Sequence, residues 1–567
     1  MVLRCRTGGY VNGRCAAGRF SFGFCGLLVT WCAATAAVAD DVELTAYLPA
    51  GGRVGTSCDV TVSDKFARWP LQVWTDTPAL VMTAGDEKGA LHVEIAPDAV
   101  PGTHYFRLYD AQGASRLCAF VVGTHAEVSE TEPNDRRGDA QPIGDEPTVI
   151  NGRLASGGDV DTFAVDLDAG ETLVAEMAAY RPLGSPMDAV LQVVTPSGTI
   201  LLQEDDSLDF DPRVVFTAPA SGTFLLRAFC FPADPNSTIA FSGGPADVYR
   251  LTVSTGPFAR YALPLAVERD AVEPVIVGGW NMPATPIALR PTPSASTDTA
   301  VVFDAAVSGV LNLPVVPHQV VTRDASPADD AGPRALEVPV TVSGVIAPAE
   351  SSHDYTFRMD KDAKLAISVA SRSFGSPLDA VLQVRDAAGK QVAKSDDVGK
   401  NPDPALEFTA PDEGVYVVSV SDLHRRHDEG FFYNLTLTMI EPSYRLSVAT
   451  DRFTLKPDEV LEIPVTVERL HGFAEPIEVS LANLSGDAAF NAAVTAEPVT
   501  SAAEGDTAKS VTLKLNSSGQ GHTGNVQIVG TSAGDDVPVT AGATIEALGI
   551  TVSQLWLTAL PAAPATN

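Results

Sequence analysis

Cysteine is scarce where it would count. Of seven cysteines, Cys5, Cys15, Cys25 and Cys32 fall in the first 39 residues, and only Cys58, Cys118 and Cys230 remain beyond them. No Cys-x-x-Cys pair or Cys/His spacing is present, which argues against a zinc site. Basic charge is also short. After residue 39, 34 Lys and Arg face 71 Asp and Glu, a net charge of −37. Such a field repels phosphate backbones and anionic lipid surfaces, so nucleic acid and membrane surfaces are excluded as partners, while cations are attracted. Helix-period segments of useful length are missing throughout. The apolar stretch at 548–561 is broken by Ser553 and Gln554 and lacks basic flanks, so no membrane span is expected once a leader is removed.

The leader itself is visible. Arg4, Arg6, Arg14 and Arg19 precede an apolar run over 20–39 that closes on Ala37-Val38-Ala39, the small-residue pattern of a cleaved signal peptide. Export is the expectation, with periplasm, cell surface and medium all open. In that compartment Cys58 and Cys118, both on expected strands of one small module, are a candidate disulfide, which leaves Cys230 as a buried free thiol.

One stretch occurs twice. Gly184-Ser185-Pro186-Met187-Asp188-Ala189-Val190-Leu191-Gln192-Val193 returns as Gly375-Ser376-Pro377-Leu378-Asp379-Ala380-Val381-Leu382-Gln383-Val384. Each copy continues through Asp205-Asp206 or Asp396-Asp397, Asp211-Pro212 or Asp403-Pro404, and a Phe-Thr-Ala-Pro run. Self-similarity of this length marks a duplicated domain. Elsewhere the chain alternates apolar and polar residues over short runs such as Cys58-Asp-Val-Thr-Val62 and Leu91-His-Val-Glu-Ile95, separated by Gly and Pro turns. The fold class is therefore all-β, a string of β-sandwich domains, some immunoglobulin-like and some jelly-roll-like.

Family resemblances sharpen this reading. The opening Leu48-Pro49-Ala50-Gly51-Gly52 with Gly55-Thr56 resembles immunoglobulin-like TIG-type modules. The series Glu130-Thr131-Glu132-Pro133-Asn134-Asp135, Asn151-Gly152, Gly158-Asp159-Val160-Asp161-Thr162-Phe163 and Tyr249-Arg-Leu-Thr-Val253 resembles the bacterial pre-peptidase C-terminal domain, a small sandwich attached to many secreted peptidases. The expected organisation is a signal peptide (1–39), a TIG-like sandwich (40–124), the first pre-peptidase-type copy (125–256) and a small β-module (257–322). A linker (323–336), a second copy with a degenerate metal site (337–441), an immunoglobulin-like sandwich (442–548) and a C-terminal tail (549–567) complete it.

Calcium is the sharpest chemical expectation. A hard divalent cation takes six to eight oxygens, and Glu130, Glu132, Asn134 and Asp135 with Asp159 and Asp161 supply that set if the two segments meet. The resemblance implies the same residues, Asp159 with least support. The alternative is a plain turn in which Asn134 and Asp135 bond nearby backbone N–H groups. The second copy carries Ser351 and His353 in place of Asp159 and Asp161, so calcium is expected in the first copy only. Asp188/Asp379, Asp205/Asp396 and Asp206/Asp397 persist in both copies, which points to a structural role.

Catalytic signals are weak. Gly530-Thr531-Ser532-Ala533-Gly534 fits a nucleophile pattern but leads into another strand instead of the helix an elbow requires. His424 and His427 sit in a polar loop, and Trp69, Trp74 and Trp280 are candidate sugar or protein platforms that sandwiches more often bury. No catalytic residue is expected. The expected function is an exported, non-catalytic binding or scaffold protein whose partner is an extracellular protein or polysaccharide of unknown identity. The alternatives are an accessory or inhibitory component of a secreted peptidase or other hydrolase, and a self-associating structural protein of the cell envelope.

Overall fold

Alternation sets the strands. In Ser57–Ser63, Val60 and Val62 point into a core while Asp59 and Thr61 face solvent, the period-2 pattern of a half-buried strand. The computed structural model describes residues 42–63, 66–231, 240–269, 273–294, 298–323, 333–346, 352–399, 401–427, 430–483, 488–534 and 537–562. The expected leader lies outside them. The described residues belong to one unit, Ala39–Asn567, built almost wholly of β-sheets.

The N-terminal sandwich faces a four-stranded sheet against a second sheet ordered Gly51–Arg53, Cys118–Gly123, Gly102–Asp110, Gln72–Thr75. Cys58 and Cys118 are free thiols here, which corrects the expected disulfide. Cys58 lies beside Gly52, and Gly52 pairs with Val122. Cys118 is four residues further along that strand, about 13 Å at the usual rise. Their charged neighbours differ accordingly: Glu127, Arg250 and Asp59 surround Cys58, and Arg116, Arg107 and Arg452 surround Cys118. Cys230 is buried, and burial pushes its thiol up to about 12.

The two copies share one strand order. In the first, one sheet runs Ala126–Ser129, Thr148–Arg153, Val248–Ser254, Thr172–Ala178, Arg213–Thr217; in the second, Gln319–Thr322, Val340–Val345, Phe432–Met439, Lys364–Ala370, Ala405–Thr409. The facing sheets also correspond strand for strand, and each copy begins with a parallel edge pair. The repeated Gly ends a helical turn in both: Gly184 (φ 64) after Tyr180–Leu183 and Gly375 (φ 75) after Arg372–Phe374, left-handed positions that favour glycine. Across from each turn the Asp of the Asp-Pro pair caps it. Asp211 accepts the N–H groups of Ala179, Tyr180 and Arg181, and Asp403 those of Ser371, Arg372 and Ser373.

Three expected boundaries need correction. Gln319–Thr322 belongs to the second copy and not to the small module, because it pairs with Val340–Val345. The 323–336 stretch is not a free linker at its ends: Arg323 continues that pairing through its N–H to Ser343 O, and Arg334–Ala335 pairs with Ser352–Met359. Residues 549–567 are not a tail throughout, since Leu555–Ala559 is a buried strand between Arg452–Leu455 and His522–Thr531. The apolar run there is short because one strand is all it needs to form.

Modules also touch beyond their linkers. Asn281 Nδ2 donates to Thr172 O (2.9 Å) and Thr255 O (3.0 Å), and Trp280 lies between the guanidinium groups of Arg213 (5.1 Å) and Arg260 (5.2 Å). Leu265 N donates to Ser343 Oγ at 2.9 Å, and Tyr261 stacks on Phe432. The N-terminal and C-terminal sandwiches meet where buried Arg107 pairs with Asp451 and where Trp74 and Tyr109 pack on Trp556. Trp69 packs on Phe66 and donates its indole N–H to Gly85 O (2.8 Å). The three candidate platforms are thus engaged in cores and joints.

Candidate metal centre

The segment after Ala126–Ser129 carries the acids. Parallel pairing with Thr148–Arg153 continues through Glu130 N to Asn151 O (3.0 Å), which turns the next residues toward the start of strand Asp161–Leu167. Gly152 is needed at this point: a Cβ there would collide with the Tyr249 ring and with Glu130 Oε2. Because it is absent, Tyr249 reaches across and donates to Asp161 Oδ2 (2.6 Å), with Glu130 Oε2 at 3.2 Å.

Glu132, Asp159 and Asp161 each bring a carboxylate oxygen within 4.8 Å of the others. Oxygens on one calcium at 2.3–2.6 Å lie no more than about 5 Å apart, so this spacing suits a shared cation. Asn134 lies two residues on from Glu132, whose carboxylate accepts its backbone N–H. It is 0% exposed, and both its Oδ1 and Nδ2 lack a hydrogen-bond partner, as does Asp161 Oδ1. Leaving such groups buried and unpaired costs on the order of 1–3 kcal/mol each, and a cation with its water would satisfy the oxygens.

Glu130 and Asp135 stand behind this group. Both Glu130 oxygens accept the Arg153 N–H (2.9 and 3.0 Å), and Asp135 Oδ1 accepts the Val160 N–H (3.2 Å). Asp159 Oδ2 accepts the Ala155 N–H at 2.5 Å, and Glu132 accepts the Asn134 N–H at 3.0 Å. Burial raises Glu130, Glu132 and Asp159 above the ordinary carboxylate range. Burial, then the neighbouring Glu130 charge, pushes Asp161 up to about 9. Several acids are therefore held where their own ionisation is opposed, which an added cation would reverse. Tyr249 was not singled out from sequence; its 88-residue separation from Asp161 hides the pair, and only its place in the family's final strand could have flagged it.

The same register in the second copy has other chemistry. His353 occupies the place of Asp161, with Nδ1 2.6 Å from Tyr433 Oη, which is itself 2.6 Å from Tyr355 Oη. Arg323 follows its edge strand as Glu130 does in the first copy, and its guanidinium lies 5.5 Å over the Tyr355 ring. Ser351 lies outside the described residues.

The remaining candidates fall elsewhere. Ser532 follows strand His522–Thr531, which pairs antiparallel with Val539–Ile545, so the Gly-Thr-Ser-Ala-Gly run begins a hairpin connection. His424 Nε2 is 3.7 Å from Asp379, which also faces Arg372, and His427 is exposed. Among the described residues no helix is long and apolar enough to cross a membrane.

Residues 351–422 match the family model of the bacterial pre-peptidase C-terminal domain, so the chain carries such a domain, in its second copy. A probable subtilase-type serine protease of Deinococcus radiodurans is 28% identical over 139 residues, 24% of this chain and 18% of that protein. The chain thus spans less than a fifth of that relative's length. Among solved structures, the pre-peptidase C-terminal domain of a Bacillus anthracis collagenase is 17% identical, covering 19% of this chain and 95% of its own (TM-score 0.16). Fibronectin(III)-like modules of Clostridium thermocellum CbhA are 10% identical, covering 36% of this chain and 87% of theirs (TM-score 0.12).

Proposed function

We propose that this is an exported, non-catalytic scaffold protein whose first copy binds one calcium ion through Glu132, Asn134, Asp159 and Asp161, with Glu130 and Asp135 in support. The carrying observation is the convergence of the Glu132, Asp159 and Asp161 carboxylates, with the buried Asn134 amide unpartnered on the same segment. Bound calcium would fix segment 130–135 and, with it, strand Ala126–Ser129. That strand carries Glu127, whose carboxylate holds buried Arg250 at 2.7 and 2.9 Å, and Arg250 lies against Gly51 of the N-terminal sandwich. The ion would therefore order a joint between modules and leave the loops of the sandwiches to engage an extracellular protein or polysaccharide. The pre-peptidase C-terminal match and the partial likeness to a probable subtilase-type protease support work alongside a secreted peptidase.

Limited proteolysis of the full chain in calcium and in chelator tests this. Cleavage near residues 124–136 is expected in chelator only. Equal cleavage in both conditions would sink the role of the ion at the joint. A screen on casein and common polysaccharides addresses the non-catalytic part, and turnover lost on Ser532→Ala would overturn it.

A further inference from the structure

The two copies differ at one outer strand. In the first copy, Ile200–Glu204 closes its sheet and pairs with Asp188–Val194; its counterpart Gln391–Ser395 pairs with Ala380–Arg385. An edge strand presents a row of unpaired N–H and C=O groups to any other strand that fits. Among the described residues, no backbone hydrogen bond links 200–204 to anything but Asp188–Val194.

The second-copy edge carries lysine and the first does not. Gln391 and Lys394 stand where the first copy has Ile200 and Gln203, and Lys390 precedes them. Charged side chains, lysine above all, are how natural edges avoid pairing. In the first copy Ile200 is 56% exposed and Leu201 39% exposed, with no lysine between 198 and 206. Charge is ordered along this edge. The Arg137 guanidinium lies against Gly198 at its start, and Glu204, Asp205 and Asp206 stand at its end.

We propose that Ile200–Glu204 is the docking edge for a second copy of this chain, the two strands pairing antiparallel about a twofold axis at Leu202. Two five-stranded sheets would become one continuous sheet. In this register Ile200 faces Glu204 of the partner subunit, and Arg137 beside Gly198 faces Asp206 of the partner subunit. An antiparallel twofold brings the basic start of each strand to the acidic end of the other, a match that parallel pairing lacks. The inference rests on this edge alone and is independent of the cation site.

Sedimentation velocity of the full chain over a concentration series, at low and high salt, tests it. The wild type is expected to form a reversible dimer that salt weakens. Ile200→Gln/Gln203→Lys, which installs the second copy's residues, is expected to stay monomeric with an unchanged melting temperature. Arg137→Glu is expected to raise the dimer dissociation constant about tenfold, the order of one charge interaction across an interface, and Arg137→Glu/Asp206→Arg to restore it. A chain monomeric at every concentration, or a dimer that Ile200→Gln/Gln203→Lys leaves intact, overturns the proposal.

Discussion

In the first copy Tyr249 donates its hydroxyl to a pair of carboxylates, Asp161 and Glu130; in the second, Tyr433 at the same place in the sheet meets His353 and Tyr355. The strand order around them is identical. One sandwich therefore gathers carboxyl groups whose ionisation burial opposes. The other closes the same space with hydrogen bonds among His353, Tyr433 and Tyr355 and an arginine, Arg323, over an aromatic ring. Duplication kept the scaffold, where apolar alternation and capped turns are hard to change singly. It freed the loop end, where a few substitutions exchange carboxylates for a histidine and an arginine.

The caps show the same divergence at smaller scale. Asp211 is pushed up to about 6, burial being the largest cause. Asp403 is also buried, yet it is held below the ordinary carboxylate range, by Ser373 first and then by the Ser371 and Arg372 donors. Ala179 and Arg181 stand at the positions of Ser371 and Ser373, so the first copy lacks those hydroxyls.

The largest expected effect breaks the comparison outright. Glu130→Arg/Asp161→His gives the first copy the second copy's residues. Calcium at a hundred times its dissociation constant should stabilise the wild-type chain by about 2.7 kcal/mol and this variant not at all, read from melting curves. Next, removing a cap leaves buried N–H groups without an acceptor. Asp403→Ala should cost about 2.5 kcal/mol in urea unfolding, and Asp211→Ala about 1 kcal/mol less, because Asp403 also accepts the Ser371 hydroxyl.

The copies should also respond to pH with opposite slopes. Asp161 has a folded-state pKa raised to about 9, so its contribution is present below the usual carboxylate value and fades as pH climbs toward 9. Asp403 is depressed, so its contribution is present at neutral pH and fades on acidification. In chelator, the protection of Asp161–Leu167 against hydrogen exchange, relative to the intrinsic rate at each pH, should fall from about pH 5 to 9, whereas that of Lys364–Ala370 should fall only below about pH 4. Calcium should flatten the first trend, since the ion takes over the role of the proton. Smallest of all, Tyr433→Phe should cost about 1 kcal/mol, about 0.5 kcal/mol for each of the two hydrogen bonds to His353 and Tyr355.

Much of this was legible in the sequence. The repeat, the alternating strands and the acids of the 130–135 and 159–161 segments lie in short runs, where local pattern carries the information. What joins distant runs was not legible. Tyr249, the Arg250–Glu127 pair across 123 residues and the Trp74–Trp556 contact depend on which faces the folded sheets bring together. Cys58 and Cys118 misled for the same reason, since strand membership fixes a face but not a position along it. Leu555–Ala559 was missed because a five-residue run after Ser553-Gln554 looks too short to matter, although it completes a sheet. Arg323 sat in a Pro- and Asp-rich stretch that composition marks as linker, and only register shows it in the place of Glu130.

The most direct measurement is calorimetric titration of calcium into the chelator-treated full chain, alongside Asp161→Asn and His353→Asn variants. The account predicts one ion per chain, binding lost with Asp161→Asn and kept with His353→Asn. No heat from the wild type, or binding that survives Asp161→Asn, would contradict it and leave Glu-Pro-Asn-Asp as a turn in a metal-free scaffold.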